Sequence, residues 1–168
     1  MKLTPYRAQL GTRTTVCTNY GRMPRIALQM RDEDVLDTLL GGAFAGCSER
    51  EVLAFVNAGR QFVLPSQWSF IQELKPAYDL YVLLDGSATV SRDRRVLGRV
   101  RAGELVGELG MRAPGVRTAT VTSADRVRLL RVEYATVSEV LRRRPTLAAK
   151  IDEIRTSREA REQHPAFS

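Results

Sequence analysis

The stretch GELGMRAPGVRTATV, from Gly107 to Val121, holds the most specific chemistry in the chain. A carboxylate, Glu108, opens a short turn-rich loop, and a guanidinium, Arg117, closes it beside Thr118 and Ala119. A guanidinium presents a planar fork of donors, and a carboxylate presents only acceptors. Two arrangements satisfy both. Glu108 and Arg117 pair with each other across a surface turn, which is worth little, or both face a third molecule that needs one group of each sign. Pairing alone leaves unexplained the glycine before Glu108, the Thr118-Ala119 pair and the strand-like runs on either side.

Other chemistries find little support. The only histidine, His164, sits in a polar tail, so neither a Ser-His-Asp triad nor a His-rich metal site has its parts. Neither a P-loop nor a GxGxxG fingerprint occurs. No enzymatic activity, cofactor or metal is expected. Cys17 and Cys47 form no C-x-x-C pattern and read as reduced, structural thiols. The net charge is +7, carried almost wholly by arginine, with lysine only at 2, 75 and 150. Such a chain has a general attraction for polyanions, but a merely basic globular protein is the simpler reading, and nucleic acid is not expected as a partner. No apolar run approaches the ~18 residues of a membrane span, and Arg7, Arg13, Arg22 and Arg25 interrupt any signal-peptide core. A cytoplasmic location away from membranes is expected.

The elements that must hold the loop follow from periodicity. Residues 1–31 carry six basic and no acidic side chains and read as a basic arm. Val35, Leu36, Leu39 and Leu40 then repeat at helical spacing, and Gly41-Gly42 ends that helix. Ser48 with Glu51 forms a capping box ahead of Val52, Leu53, Phe55 and Val56. From Gln61 the period shortens: QFVLP, WSFIQEL, LYVLLDG, SATVSRD, RRVLGRVRAG, TATVTSAD and VRLLRVE are Val-, Leu- and aromatic-rich runs separated by turn residues. About eight antiparallel strands in a sandwich or jelly roll are predicted, with SRDRR as a hairpin turn. Helical spacing returns from Tyr134 to Arg144, Pro145 interrupts it, and a second helix starts near Thr146.

Helices, a β-roll and two more helices is the layout of cyclic nucleotide-binding domains, the sensor module of the catabolite activator protein and of cyclic nucleotide-dependent protein kinases. Gly107-Glu108-Leu109 followed by Arg117-Thr118-Ala119 resembles that family's phosphate-binding cassette, G-E-(L/A) followed about nine residues later by R-(T/S/A)-A. LYVLLDGSATV resembles its preceding strand and glycine turn, and RAGELVGELG its hydrophobic approach; the likeness covers about residues 36–155. It implies a mainly β fold, a double-stranded β-helix or jelly-roll β-roll with two N-terminal and two C-terminal helices. The domain would span residues 32–160, with the roll over about 61–132, the last helices over about 133–160 and a tail at 161–168.

The resemblance also implies a ligand, with cAMP placed ahead of cGMP. Arg117 would take the cyclic phosphate, Glu108 would accept the ribose 2′-hydroxyl, and Thr118 would add a hydroxyl. Amides near Gly107, Leu109 and Ala119 would point at the ligand. Each contact involving a charge is worth about 1.5–3 kcal/mol. A lid built from residues around Leu147 to Ser157 would place Ile151 and Ile154 over the base and Arg155, Thr156 or Ser157 at its edge, although plain packing also accounts for the isoleucines. Leu97 and Val100 stand at base-cushion positions.

The sequence departs from the family in two respects. The early turns, LPSQWSFI and QELKPAYD, lack the usual glycines. After Pro145 no room remains for a DNA-binding helix-turn-helix, so a stand-alone sensor that signals to an unidentified protein partner is expected. The apolar stripe fades after Ile154, which predicts a monomer or weak homodimer and makes RTSREAREQH a solvated face. The alternative is a degenerate, ligand-free version of the fold that serves as a protein-interaction module.

Overall fold

The computed structural model describes residues 30–112 and 115–163. Most of the basic arm, Cys17, His164 and the rest of the tail lie outside the described residues. Two helices come first, α1 (Asp32–Leu40) and α2 (Glu49–Ala58). Eight strands follow: β1 (Arg60–Leu64), β2 (Ser69–Ile71), β3 (Asp79–Asp85), β4 (Ser87–Arg92), β5 (Arg95–Arg101), β6 (Leu105–Val106), β7 (Thr120–Ser123) and β8 (Val127–Glu133). The helices α3 (Tyr134–Arg142) and α4 (Pro145–Gln163) close the described chain. The strands form two four-stranded sheets, β1-β8-β3-β6 and β2-β7-β4-β5, with antiparallel pairing throughout. The eight antiparallel strands between helices match the count that the periodicity predicts, and the mainly β roll with flanking helices is the fold that the resemblance implies.

The apolar run Leu80–Leu84 is continuous because β3 is buried on both faces. Leu80, Val82 and Leu84 enter a core shared with the helices, beside Val35, Leu39, Val52, Phe55, Val137 and Leu147. Tyr81 and Leu83 point the other way, into the roll interior with Phe70, Val100, Val121 and Leu129. The strand period of two thus sends alternate residues to two cores. Phe44 and Phe55 lock α2 against the turn after α1, edge to face at 4.9 Å. The capping box at Ser48 forms, with the Glu51 carboxylate accepting from the Ser48 amide and hydroxyl.

The two glycine-free turns are built with strained backbone instead. Gln67 at φ 61° and Leu74 at φ 63° occupy the left-handed region, which costs a residue bearing a Cβ about 1–2 kcal/mol. The β4–β5 hairpin does the same, with Asp93 and Arg94 both left-handed at φ 48° and 65°, as a two-residue turn matching strand twist requires.

Candidate functional site

The loop from Gly107 is held at both ends. β6 pairs with β3, and Gly107 then turns the chain with φ 92°. A Cβ there would sit 2.6 Å from Arg117 Nη1 and 3.0 Å from the Asp79 carbonyl oxygen, so the position accepts only glycine. A single 3-10 turn, Glu108–Met111, follows. The far end is stitched to the β2–β3 loop. The Ala77 amide donates to Gly115 O at 2.7 Å, Arg117 N to Lys75 O at 2.9 Å, and Leu74 N to Arg117 O at 2.9 Å. Arg92 Nε donates to Thr118 O at 2.6 Å. These bonds fix the backbone that aims Arg117.

Glu108 and Arg117 are 1% and 3% exposed, and they do not pair with each other. Glu108 Oε1 accepts from Arg158 Nη1 of α4 at 2.8 Å. Its other oxygen, Oε2, is buried with no hydrogen-bond partner among the described residues. The Arg117 guanidinium lies 5.7 Å from the ring centres of both Tyr81 and Tyr134, within cation–π range. Its Nη1 donates to the Tyr134 hydroxyl at 3.0 Å and reaches Gly107 O at 3.4 Å, while its Nε is buried without a partner among the described residues. The Tyr134 hydroxyl itself donates to Gly107 O. Burial pushes the Tyr134 phenol up to about 12, against the lowering effect of the Arg117 charge, so it stays protonated at neutral pH.

Between them lies a cleft whose apolar walls include Ile71, Val90, Val106 and Val121. Gly107, Glu108, Leu109, Arg117, Thr118, Ala119, Leu97 and Val100 all border it. Leu97 is 52% exposed on the edge strand β5, whereas Val100 is buried. The expected lid residues, Ile151, Ile154, Arg155, Thr156 and Ser157, are absent from its walls. Ile154 packs on the helix-side core and borders a neighbouring groove instead, and Arg155 turns to Asp152 at 2.5 Å. Ile151 is likewise core. The reason is helical phase: the face of α4 that carries Ile151 and Ile154 is spent on the core, and it reaches the cleft only one turn later. There Arg158 and Arg161 line it. The segment RTSREAREQH is therefore not simply a solvated face. Helical spacing puts Arg158 on the same face as Ile151 and Ile154, but neither its contact with Glu108 nor the role of Tyr134 carries a local signal in the sequence.

The site has the parts for binding an anion that also carries a hydroxyl donor. Among the described residues no group of three or more His, Cys, Asp or Glu side chains could hold a metal ion. No described helix is long and apolar enough to cross a membrane.

Three comparisons bear on this geometry. A sequence model of the cyclic nucleotide-binding domain matches residues 61–144. Over 63 residues, 38% of the chain, the sequence is 41% identical to cGMP-dependent protein kinase egl-4 of Caenorhabditis elegans, and the match spans 8% of that kinase. Among solved structures, the Thermus thermophilus catabolite activator protein superposes with a TM-score of 0.65 at 21% identity, over 72% of this chain and 59% of that one. The N-terminal domain of a Streptomyces coelicolor A3(2) transcriptional regulator superposes with a TM-score of 0.58 at 26% identity, over 75% of this chain and 93% of that one.

Proposed function

The chain belongs to the cyclic nucleotide-binding domain family, and we propose that it is a non-catalytic sensor that takes cAMP or cGMP in the cleft between Glu108 and Arg117. The observation that carries this reading is the pair of buried, unpartnered atoms, Glu108 Oε2 and Arg117 Nε. Each belongs to a charged group held out of water, where an unmet polar atom is costly. One is an acceptor and the other a cationic donor. A 3′,5′-cyclic nucleotide supplies the complement of both, a ribose 2′-hydroxyl to donate and a cyclic phosphate to accept. Leu97, Val100 and the apolar walls then face the base.

Output runs through the C-terminal helices. Arg158 joins the ribose-site carboxylate to α4, and Arg112 of the loop meets Glu159 of the same helix at 3.5 Å. Ligand bound to Glu108 therefore alters the setting of α4, which presents a changed face to a protein partner in the cytoplasm. Coupling of this kind needs ligand to favour one setting of the helix over another. The match to a cGMP-dependent kinase supports a cyclic nucleotide, and the base is left to titration.

The test is thermal unfolding with cAMP, cGMP and their 2′-deoxy analogues. Ligand at about 100 times Kd stabilises by about 2.7 kcal/mol, so the unfolding midpoint should rise for the ribonucleotide and rise less for the 2′-deoxy form. An equal rise with both forms would remove Glu108 from the ribose site, and no rise with any would remove the ligand.

A further inference from the structure

Arg117 has a flexible side chain, and a guanidinium that must wait for an anion binds better when it is already held in place. One hydroxyl does the holding. Tyr134, the first residue of α3, accepts from Arg117 Nη1 at 3.0 Å and donates its own proton to Gly107 O, which Nη1 also approaches at 3.4 Å. The two ends of the loop are thus tied through one phenol. The loop makes room for it: a Cβ at Gly110 would stand 2.8 Å from the Tyr134 hydroxyl oxygen and 2.5 Å from Ala77 Cβ. The phenol stays protonated well above neutral pH, so the donor does not titrate away.

We propose that Tyr134 is the positioning residue for phosphate recognition: its hydroxyl fixes Nη1 of Arg117 and thereby leaves Nε, the unpartnered donor, for the ligand. The proposal rests on the cyclic nucleotide reading of the cleft. It assigns Tyr134 a task that ring packing alone does not perform, because the ring contact with Arg117 would survive in phenylalanine. It also ties Arg117 to the first residue of α3, so that occupancy of Arg117 is felt where the C-terminal helices begin.

The test is Tyr134→Phe, which keeps the ring and removes the hydroxyl. Whichever of cAMP and cGMP binds the wild type should bind the variant about tenfold more weakly. The affinity ratio between that ribonucleotide and its 2′-deoxy analogue should not change, because Glu108 is untouched. The ligand-free unfolding midpoint should fall by about 3–8 °C for the lost hydroxyl contacts, which leaves the variant folded at the temperature of the titration. Unchanged affinity, or a loss that tracks the midpoint and erodes the ribose preference equally, would overturn the assignment in favour of packing. A second measurement needs no nucleotide. The Arg117 guanidinium nitrogens should show slowed rotation by NMR in the ligand-free wild type and averaged signals in Tyr134→Phe; equal rotation in both would also overturn it. If the variant does not fold, contacts between the Tyr134 ring and the Arg117 guanidinium protons in the wild type, with a slowly exchanging hydroxyl, decide the matter, and their absence sinks the proposal. If the wild type binds neither nucleotide, the cyclic nucleotide reading fails, while the rotation measurement still reports whether Tyr134 holds Arg117.

Discussion

Among the described residues, the buried carboxylates Asp79 and Glu108 each have an arginine on a nearby strand or loop, Arg131 and Arg117, and the two pairings are treated differently. Asp79 of β3 and Arg131 of β8 meet at 2.9 Å, with side chains 4% and 30% exposed. The contact is bent away from a linear hydrogen bond, yet each charge has its opposite beside it. Glu108 and Arg117 are as deeply buried as Asp79 but are kept apart. Each is gripped on one side by a residue from the C-terminal helices, Arg158 or Tyr134. Each keeps one buried atom without a hydrogen bond, as Asp79 Oδ1 and Arg131 Nε also do, so the difference lies in separation: Glu108 and Arg117 border a cleft between them. A charge pair that closes on itself has its opposite charge at contact distance and leaves no space between for a ligand. A pair that is split, oriented and left half-satisfied is disfavoured by desolvation and fits a role in binding a third party.

The contrast can be broken by substitution. The largest stability effect should come from the closed pair. Asp79→Ala leaves Arg131 without its anion; breaking a fully buried pair costs about 3–5 kcal/mol, and partial exposure of Arg131 lowers that to about 2–3 kcal/mol. Urea unfolding should show this, while nucleotide affinity of the folded protein stays close to wild type. A stable Asp79→Ala protein with lost binding would erase the distinction between the pairs.

The split pair should behave in the opposite way. Glu108→Gln should weaken nucleotide binding by about 1.5–3 kcal/mol and abolish the preference for the ribonucleotide over its 2′-deoxy form, as read by calorimetry. Retained preference would place the ribose elsewhere. A smaller effect is expected for Arg158→Met, which keeps apolar bulk and frees Glu108 from α4. Affinity should fall by only a few-fold, and amide exchange should quicken in the last turns of α4. Unchanged exchange would mean that the ion pair does not hold the helix. The smallest belongs to the exposed Glu139–Arg142 pair at 2.7 Å, with side chains 51% and 69% exposed. Arg142→Ala should shift stability by less than about 0.5 kcal/mol and leave binding alone; a large effect on either would show that exposure is a poor guide to which charges matter here.

Much of this was legible along the chain. The Ser48–Glu51 box, the apolar run of β3 and the G-E-L…R-T-A spacing are local patterns, and local patterns report local structure. The turns at Gln67 and Leu74 were marked by missing glycine, though not by the left-handed backbone that replaces it. Arg158 and Tyr134 were not legible as site residues because their contacts are tertiary. Arg158 lies 50 positions from Glu108, and Tyr134 lies 17 from Arg117. Nothing in the periodicity of α4 or in a tyrosine at a helix start says which loop lies opposite. Ile154 and Arg155 lie off the cleft for a related reason: a helix that serves both core and cleft divides those tasks between successive turns, and the division depends on where the roll ends beneath it.

The most direct measurement is calorimetric titration of the purified chain with cAMP and with cGMP, beside Arg117→Ala. Binding in the micromolar range or tighter, reduced about 10- to 150-fold in the variant as the loss of a charged phosphate contact worth about 1.5–3 kcal/mol implies, is the predicted result. A folded wild-type protein that gives no heat with either nucleotide, or an Arg117→Ala protein that binds as tightly as wild type, would contradict it.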